Sequence, residues 1–317
     1  MKFLFCFPQY YDFEETGRFI NESLQRAGHE TVIYDDLWRS GIRGAEYMNE
    51  TLLNMVDKHK PDVLLMLKSE HIKPETLSKI HCKKVLWHPD VRKNVQQWVV
   101  DKAKECDIFY TMSKSSMEEY EKELDNVKYL PEACDPNYHF YTNNVDTVYK
   151  SPINFIGTLR QTRIDMVKRV IRNNLMIKLW GSLGDDVNPQ DKELLRPYIM
   201  NRRLWREYHS YAASGSISIT WDWCPEVELS YSARIYRVMA SKGLYLCRYV
   251  EGMEKVFKRG VHCDWYYNLD EMMEKLKYYL ANRDKVKEIG EQAQKLVYGE
   301  HTFDHRVKEL LKDVEEI

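Results

Sequence analysis

Pro61-Asp62-Val63-Leu64-Leu65-Met66-Leu67 is the stretch on which the reading of the fold turns. The proline breaks what precedes it, and the unbroken apolar run that follows suits a strand buried on both faces in the middle of a parallel sheet. A strand with one wet face would alternate instead. Working outward, residues 2–7 (KFLFCF) form a first strand and residues 16–27 a helix with Phe19, Ile20 and Leu24 on one face, stopped by Gly28. A strand at 31–34, a helix at 52–59, strands at 84–87, 108–111 and 127–130, and a helix from Ser115 continue the series. Strand and helix alternate throughout, the pattern of a parallel sheet covered on both faces.

The polar stretch 143–151 (NNVDTVYKS) interrupts the series, and a second one follows. Strands are expected at 153–156, 176–180, 216–220 and 244–247. Helices are expected at 163–172, 204–213 and 232–241, and from Leu269 the chain is helical to its end. The expected fold class is therefore α/β, with two Rossmann-like domains at 1–145 and 146–317 facing a central cleft, and the last helix free to pack back on the first domain.

A chain of 317 residues with 44% hydrophobic and 30% charged residues is large enough for two cores and is globular in composition. A net charge of -2 disfavours a large nucleic-acid interface, although modified DNA stays open as a partner. Seven cysteines, Cys6, Cys82, Cys106, Cys134, Cys224, Cys247 and Cys263, are an odd number without a C-x-x-C pair and read as reduced thiols. The opening apolar run is too short for a signal peptide, and no run approaches the ~18 residues of a membrane span, so a cytoplasmic location is expected.

Ligands of open parallel sheets bind beyond the carboxyl ends of the strands, which directs attention to four turns. Phe155-Ile156-Gly157-Thr158-Leu159-Arg160-Gln161-Thr162-Arg163 runs from a strand through a glycine into a helix start with two arginines, suited to a diphosphate or else a plain turn with solvated arginines. In Trp180-Gly181-Ser182-Leu183-Gly184 a glycine lets backbone approach a ligand, or simply turns. In residues 226–243, Ser232 is expected to cap a helix bearing Arg234 and Arg237, an anion or ribose site unless the arginines face water. Trp87-His88-Pro89-Asp90 offers His88 and Asp90 for an acceptor proton, and Tyr10, Tyr11 and Asp12 add acceptor-side aromatic and carboxylate groups. P-loop, nucleophile-elbow, H-E-x-x-H and G-x-G-x-x-G motifs are absent.

Five segments in order resemble the CgeB-like branch of the group 1 glycosyltransferases. They are residues 130–136 (LPEACDP), Phe155-Ile156-Gly157 with Arg163, Trp180-Gly181, residues 232–243 (SARIYRVMASKG) and residues 267–272 (YNLDEM). The resemblance covers roughly 130–310, and its tail extends to Glu300-His301-Thr302-Phe303-Asp304-His305-Arg306. It implies a GT-B fold and metal-independent chemistry that retains the anomeric configuration: transfer of a sugar from a nucleotide-sugar, a UDP-sugar first, to an acceptor, with no further cofactor. By resemblance, Gly157 and Arg163 lie near the donor diphosphate, and Ser232 and Arg234 begin the helix facing the donor; Arg160, Gly181 and Arg237 are further donor-binding candidates. The family often has a glutamate where Arg237 stands, and Glu228 is the substitute considered. Two alternatives keep the fold: a catalytically silent binding or coat-associated protein, and a sugar-nucleotide epimerase.

Overall fold

The apolar run does form a central strand. In the computed structural model, β3 (Val63–Leu67) is wholly buried and lies between β1 (Lys2–Cys6) and β4 (Lys83–His88), with Phe3 opposite Val63 and Val63 opposite Lys83. Residues 1–8, 15–90, 94–200, 204 and 206–317 are described. They divide into two units, the first comprising Met1–Glu132, Val227–Ser230 and Phe303–Ile317, the second Ala133–Glu226 and Tyr231–Thr302.

The first unit adds β2 (Glu30–Tyr34), β5 (Ile108–Thr111) and β6 (Val127–Tyr129) in an all-parallel sheet of order β2-β1-β3-β4-β5-β6. Its helices are α1 (Glu15–Arg26), α2 (Asp36–His59), α3 (Pro74–Leu77), α4 (Gln97–Ala103) and α5 (Lys114–Tyr120). Side chains close the orphan N–H groups at two helix starts, Asp35 accepting from the Trp38 amide (2.9 Å) and Ser113 from the Ser116 amide (3.3 Å).

The second sheet has the order β11-β10-β9-β7-β8. Its strands are β7 (Ile153–Ile156), β8 (Ile177–Trp180), β9 (Ile217–Thr220), β10 (Leu244–Arg248) and β11 (Asp264–Tyr266), all parallel. Around it lie α6 (Gln161–Arg172), α7 (Pro189–Leu195), α8 (Glu207–Ala213), α9 (Arg234–Ala240), α10 (Leu269–Ala281) and α11 (Arg283–Glu300). The last helix, α12 (Phe303–Glu315), belongs to the first unit: Phe303 meets Phe19 at 5.5 Å between rings, Asp304 pairs with Arg26 at 2.7 Å, and Asp313 accepts from Tyr110 and pairs with Lys128, both at 2.6 Å.

The division falls after Glu132 rather than within 143–151, because the polar stretch is tied to the second unit. The Phe140 and Thr142 amides donate to the hydroxyls of Ser210 (3.0 Å) and Ser214 (3.1 Å), and Tyr149 stacks on Trp180. In the same region His139 and His209 are buried with rings 6.0 Å apart. Burial, and next the nearby Arg237 guanidinium, hold both imidazoles well below the ordinary histidine value, so both are neutral at pH 7. The unfolded chain takes up protons near pH 6.5 that the folded chain refuses. Stability is thus complete above that pH and falls as the pH drops below it, by up to about 1.4 kcal/mol per pH unit per histidine. Urea melts at pH 7.0 and 5.5 are expected to show a smaller acid loss in His209→Asn than in the wild type; equal losses refute the assignment.

Candidate functional site

The chain leaves β7 for β8 on one side and returns to β9 on the other, so β7 and β9 are neighbours at a reversal of strand order. Such a switch point opens a crevice beyond the carboxyl ends of the two strands. Gly157 follows β7, and Trp221 and Asp222 follow β9, so the turn read from sequence as a diphosphate candidate lies at this crevice.

Two guanidinium groups converge there. Arg163, in the first turn of α6, spans the switch point, donating through Nε to the Trp221 carbonyl (2.8 Å) and through Nη1 to the Thr158 carbonyl (2.6 Å). Arg234, the first residue of α9, donates to the Thr220 hydroxyl, lies 3.9 Å from Asp222 and sits 5.3 Å above the Phe155 ring. A β-carbon on Gly157 would lie 2.6 Å from its Nη2, so the guanidinium rests directly against the glycine. Burial, and then Arg234, lower the Arg163 pKa to about 10. It remains charged at neutral pH, and an anion between the two groups would relieve both desolvation and repulsion. Asp222, 2% exposed, accepts from the Tyr245 hydroxyl (3.0 Å) and the Ser232 amide (3.4 Å) and partly balances the arginines.

Several expectations need correction. Ser232 does not cap α9: Ala233 holds the N-cap position without a side-chain bond, and the Ser232 hydroxyl is buried without a partner. The segment enters the helix through a turn in which the Ser232 carbonyl accepts from the Ile235 amide (3.1 Å). The start of α6 is not an open anion cradle either, since Asp186 accepts from the Gln161 amide at 3.1 Å. A β-carbon on Gly181 would meet the Gly157 carbonyl, so this glycine serves a close packing contact between two turns. Arg160 is exposed and stands over the Trp223 ring at 5.9 Å. Arg237 lies one turn along α9 from Arg234, beside His139 and His209. Glu228 belongs to the first unit, where its carbonyl accepts from the Ser113 hydroxyl (3.1 Å) and its amide donates to the Ser115 hydroxyl (3.1 Å).

In the first unit, His88 ends β4 and is 2% exposed, its ring 5.5 Å from Trp98, while Asp90 pairs with Lys68 at 3.4 Å. Beneath this turn lies a group that sequence reasoning missed. Lys102 donates to the Ser69 carbonyl and its ammonium stands 5.1 Å from the Trp98 ring. Burial lowers its pKa to about 8 and raises that of Asp36 to about 7. Tyr10, Tyr11 and Asp12 lie outside the described residues. Among the described residues no three His, Cys, Asp or Glu side chains group as metal ligands do, and no helix is long and apolar enough to cross a membrane.

Residues 160–312, less than half of the chain, match the family model described as glycosyl transferase-like. No curated protein sequence matches the chain. A glycosyltransferase from Rickettsia africae ESF-5 has a similar structure, with 13% identity over 99% of this chain and 98% of that one and a TM-score of 0.71. Sucrose-phosphate synthase from Thermosynechococcus elongatus superposes over 100% and 98% of the two chains with 9% identity and a TM-score of 0.76. Anabaena HepE in complex with UDP and glucose does so over 100% of both, with 11% identity and a TM-score of 0.72. At such identities the shared property is the fold, which is GT-B, with a glycosyl transferase-like segment across most of the second unit.

Proposed function

We propose that the chain is a metal-independent glycosyltransferase, of the CgeB-like branch of group 1, that takes its sugar from a nucleotide-sugar and retains the anomeric configuration. The observation that carries this reading is the pair Arg163 and Arg234 set against Gly157 at the β7/β9 switch point. When the anomeric C–O bond breaks, the nucleotide diphosphate leaves with added negative charge, and two preorganised guanidinium groups with little solvent around them stabilise that charge. The acceptor hydroxyl forms the new glycosidic bond as the old one breaks, and its proton passes to the departing nucleotide diphosphate. UDP is the first nucleotide to test. On the acceptor side Asp90 is the half-buried member of the 88–90 turn, and His88, fully buried, is a positioning residue.

A binding protein without turnover is the second reading, favoured by Arg237, which stands where the resembling family often has a glutamate and lies beside two neutral histidines. Thermal shift with UDP-, GDP-, ADP- and dTDP-sugars at about 1 mM, run together with an assay for released nucleotide, separates the readings. The transferase predicts a raised Tm with one nucleotide class and slow nucleotide release from that donor. A shift without release favours the binding protein, a rearranged sugar on intact donor indicates an epimerase, and no shift with any donor sinks the proposal.

A further inference from the structure

A second cavity, of about 360 Å³, lies in the second unit at the opposite end of the same two strands. Pro152, which precedes β7, and Gly215, near the start of β9, line it, whereas Gly157 and Trp221 follow those strands. With a rise of roughly 3.3 Å per residue, Pro152 and Gly157, which flank β7, stand roughly 16 Å apart. The cavity is therefore separate from the Arg163 and Arg234 pair.

Its charge is one-sided. Lys150 and Arg283 are the charged lining residues, and among the described residues no Asp or Glu lines it. The Arg283 guanidinium donates to the Gly215 carbonyl, which fixes it at the rim. Burial lowers its pKa with no carboxylate to offset the desolvation. One wall is firm: Tyr211 packs against Tyr149 (5.8 Å between rings), Tyr208 (5.5 Å) and Phe140 (6.4 Å). Asn143, Ser151 and Ser214 add hydrogen-bonding groups, and the volume is in the range of small-molecule sites.

We propose that this cavity binds a small phosphomonoester of a polyhydroxylated molecule, its phosphate against Lys150 and Arg283 and its hydroxylated part on Asn143 and Tyr211. A held guanidinium and a nearby ammonium without a counter-carboxylate suit a doubly charged phosphate, and an aromatic wall with amide and hydroxyl groups suits a carbon skeleton bearing hydroxyls. The inference does not depend on the proposed transfer reaction.

Glucose 6-phosphate, inorganic phosphate and glucose serve as probes in thermal shift on the full chain. Glucose 6-phosphate is expected to raise the Tm by about 2–4 °C, inorganic phosphate by less, and glucose not at all. The shift should vanish in Lys150→Glu and Arg283→Ala and persist in Arg234→Ala. Lys150→Glu guards against a folding artefact, because the exposed Lys150 side chain bonds none of the described residues, and its Tm without ligand should match the wild type. No shift with glucose 6-phosphate overturns the proposal. Equal shifts with inorganic phosphate overturn the ligand class, and a shift lost in Arg234→Ala but kept in Lys150→Glu places the anion at the other end of the sheet.

Discussion

Arg234→Ala is expected to weaken UDP binding by about 10- to 100-fold. The guanidinium lies against Gly157 with its side chain 13% exposed, so its field acts in a crevice with little water to screen it. A hydrogen bond to a charged group contributes about 1.5–3 kcal/mol, which at 1.4 kcal/mol per tenfold gives that range. Truncation also removes a cation from beside the buried carboxylate of Asp222, which keeps its bonds from the Tyr245 hydroxyl and the Ser232 amide. Stability therefore falls as well, and the two effects must be separated. Calorimetric titration of UDP, with the melting temperature of each unliganded variant measured alongside, does so. Arg234→Lys keeps the charge but not the planar fork and should bind with intermediate affinity. Wild-type affinity in a folded Arg234→Ala protein would remove this arginine from the donor site.

The elements that sequence made legible are those whose apolar pattern was uninterrupted. β3, β5 and β7 occupy the residues read for them, since each is a short buried run. β11 was missed because Asp264, an acid in a strand of three, hides the pattern; it is tolerated at 4% exposure because Lys275 (2.8 Å), Tyr279 (2.7 Å) and Arg259 (3.0 Å) all bond it. α2 begins at Asp36, well before the Leu52 at which its apolar pattern starts, its first half disguised by a kink where Gly44 has φ 84°. The site divides in the same way. Gly157, Arg163 and Arg234 stand at strand-to-helix turns, a position that sequence order reveals. Asp222, Thr220 and Tyr245 become neighbours of these arginines only through the pairing of β7 with β9 and β9 with β10. Pairing between strands distant in sequence is a property of topology and leaves no local mark.

Gly181→Ala should destabilise the second unit by about 3 kcal/mol, whereas Gly157→Ala should chiefly impair UDP binding. Both glycines have positive φ, 129° at Gly181 and 141° at Gly157, where a side chain is strained. What their β-carbons would meet differs. At Gly181 the obstacle is the carbonyl of Gly157, which is backbone, and the two turns are laced by bonds from the Gly157 amide to the Trp180 carbonyl (2.7 Å), Leu159 to Ser182 (2.9 Å) and Gly184 to Leu159 (2.7 Å). Neither turn can retreat without breaking that lacing. At Gly157 the obstacle is the end of the Arg234 side chain, which can swing aside, relieving the clash but carrying the guanidinium away from its place. Urea melts and UDP titrations on both variants test the contrast. The expected result is a melting temperature lower by roughly 6–12 °C in Gly181→Ala, and an affinity loss in Gly157→Ala that exceeds what its smaller stability loss explains. A Gly181→Ala protein as stable as the wild type would refute the laced-turn account, and a Gly157→Ala protein with full affinity would detach Arg234 from the anion it is proposed to hold.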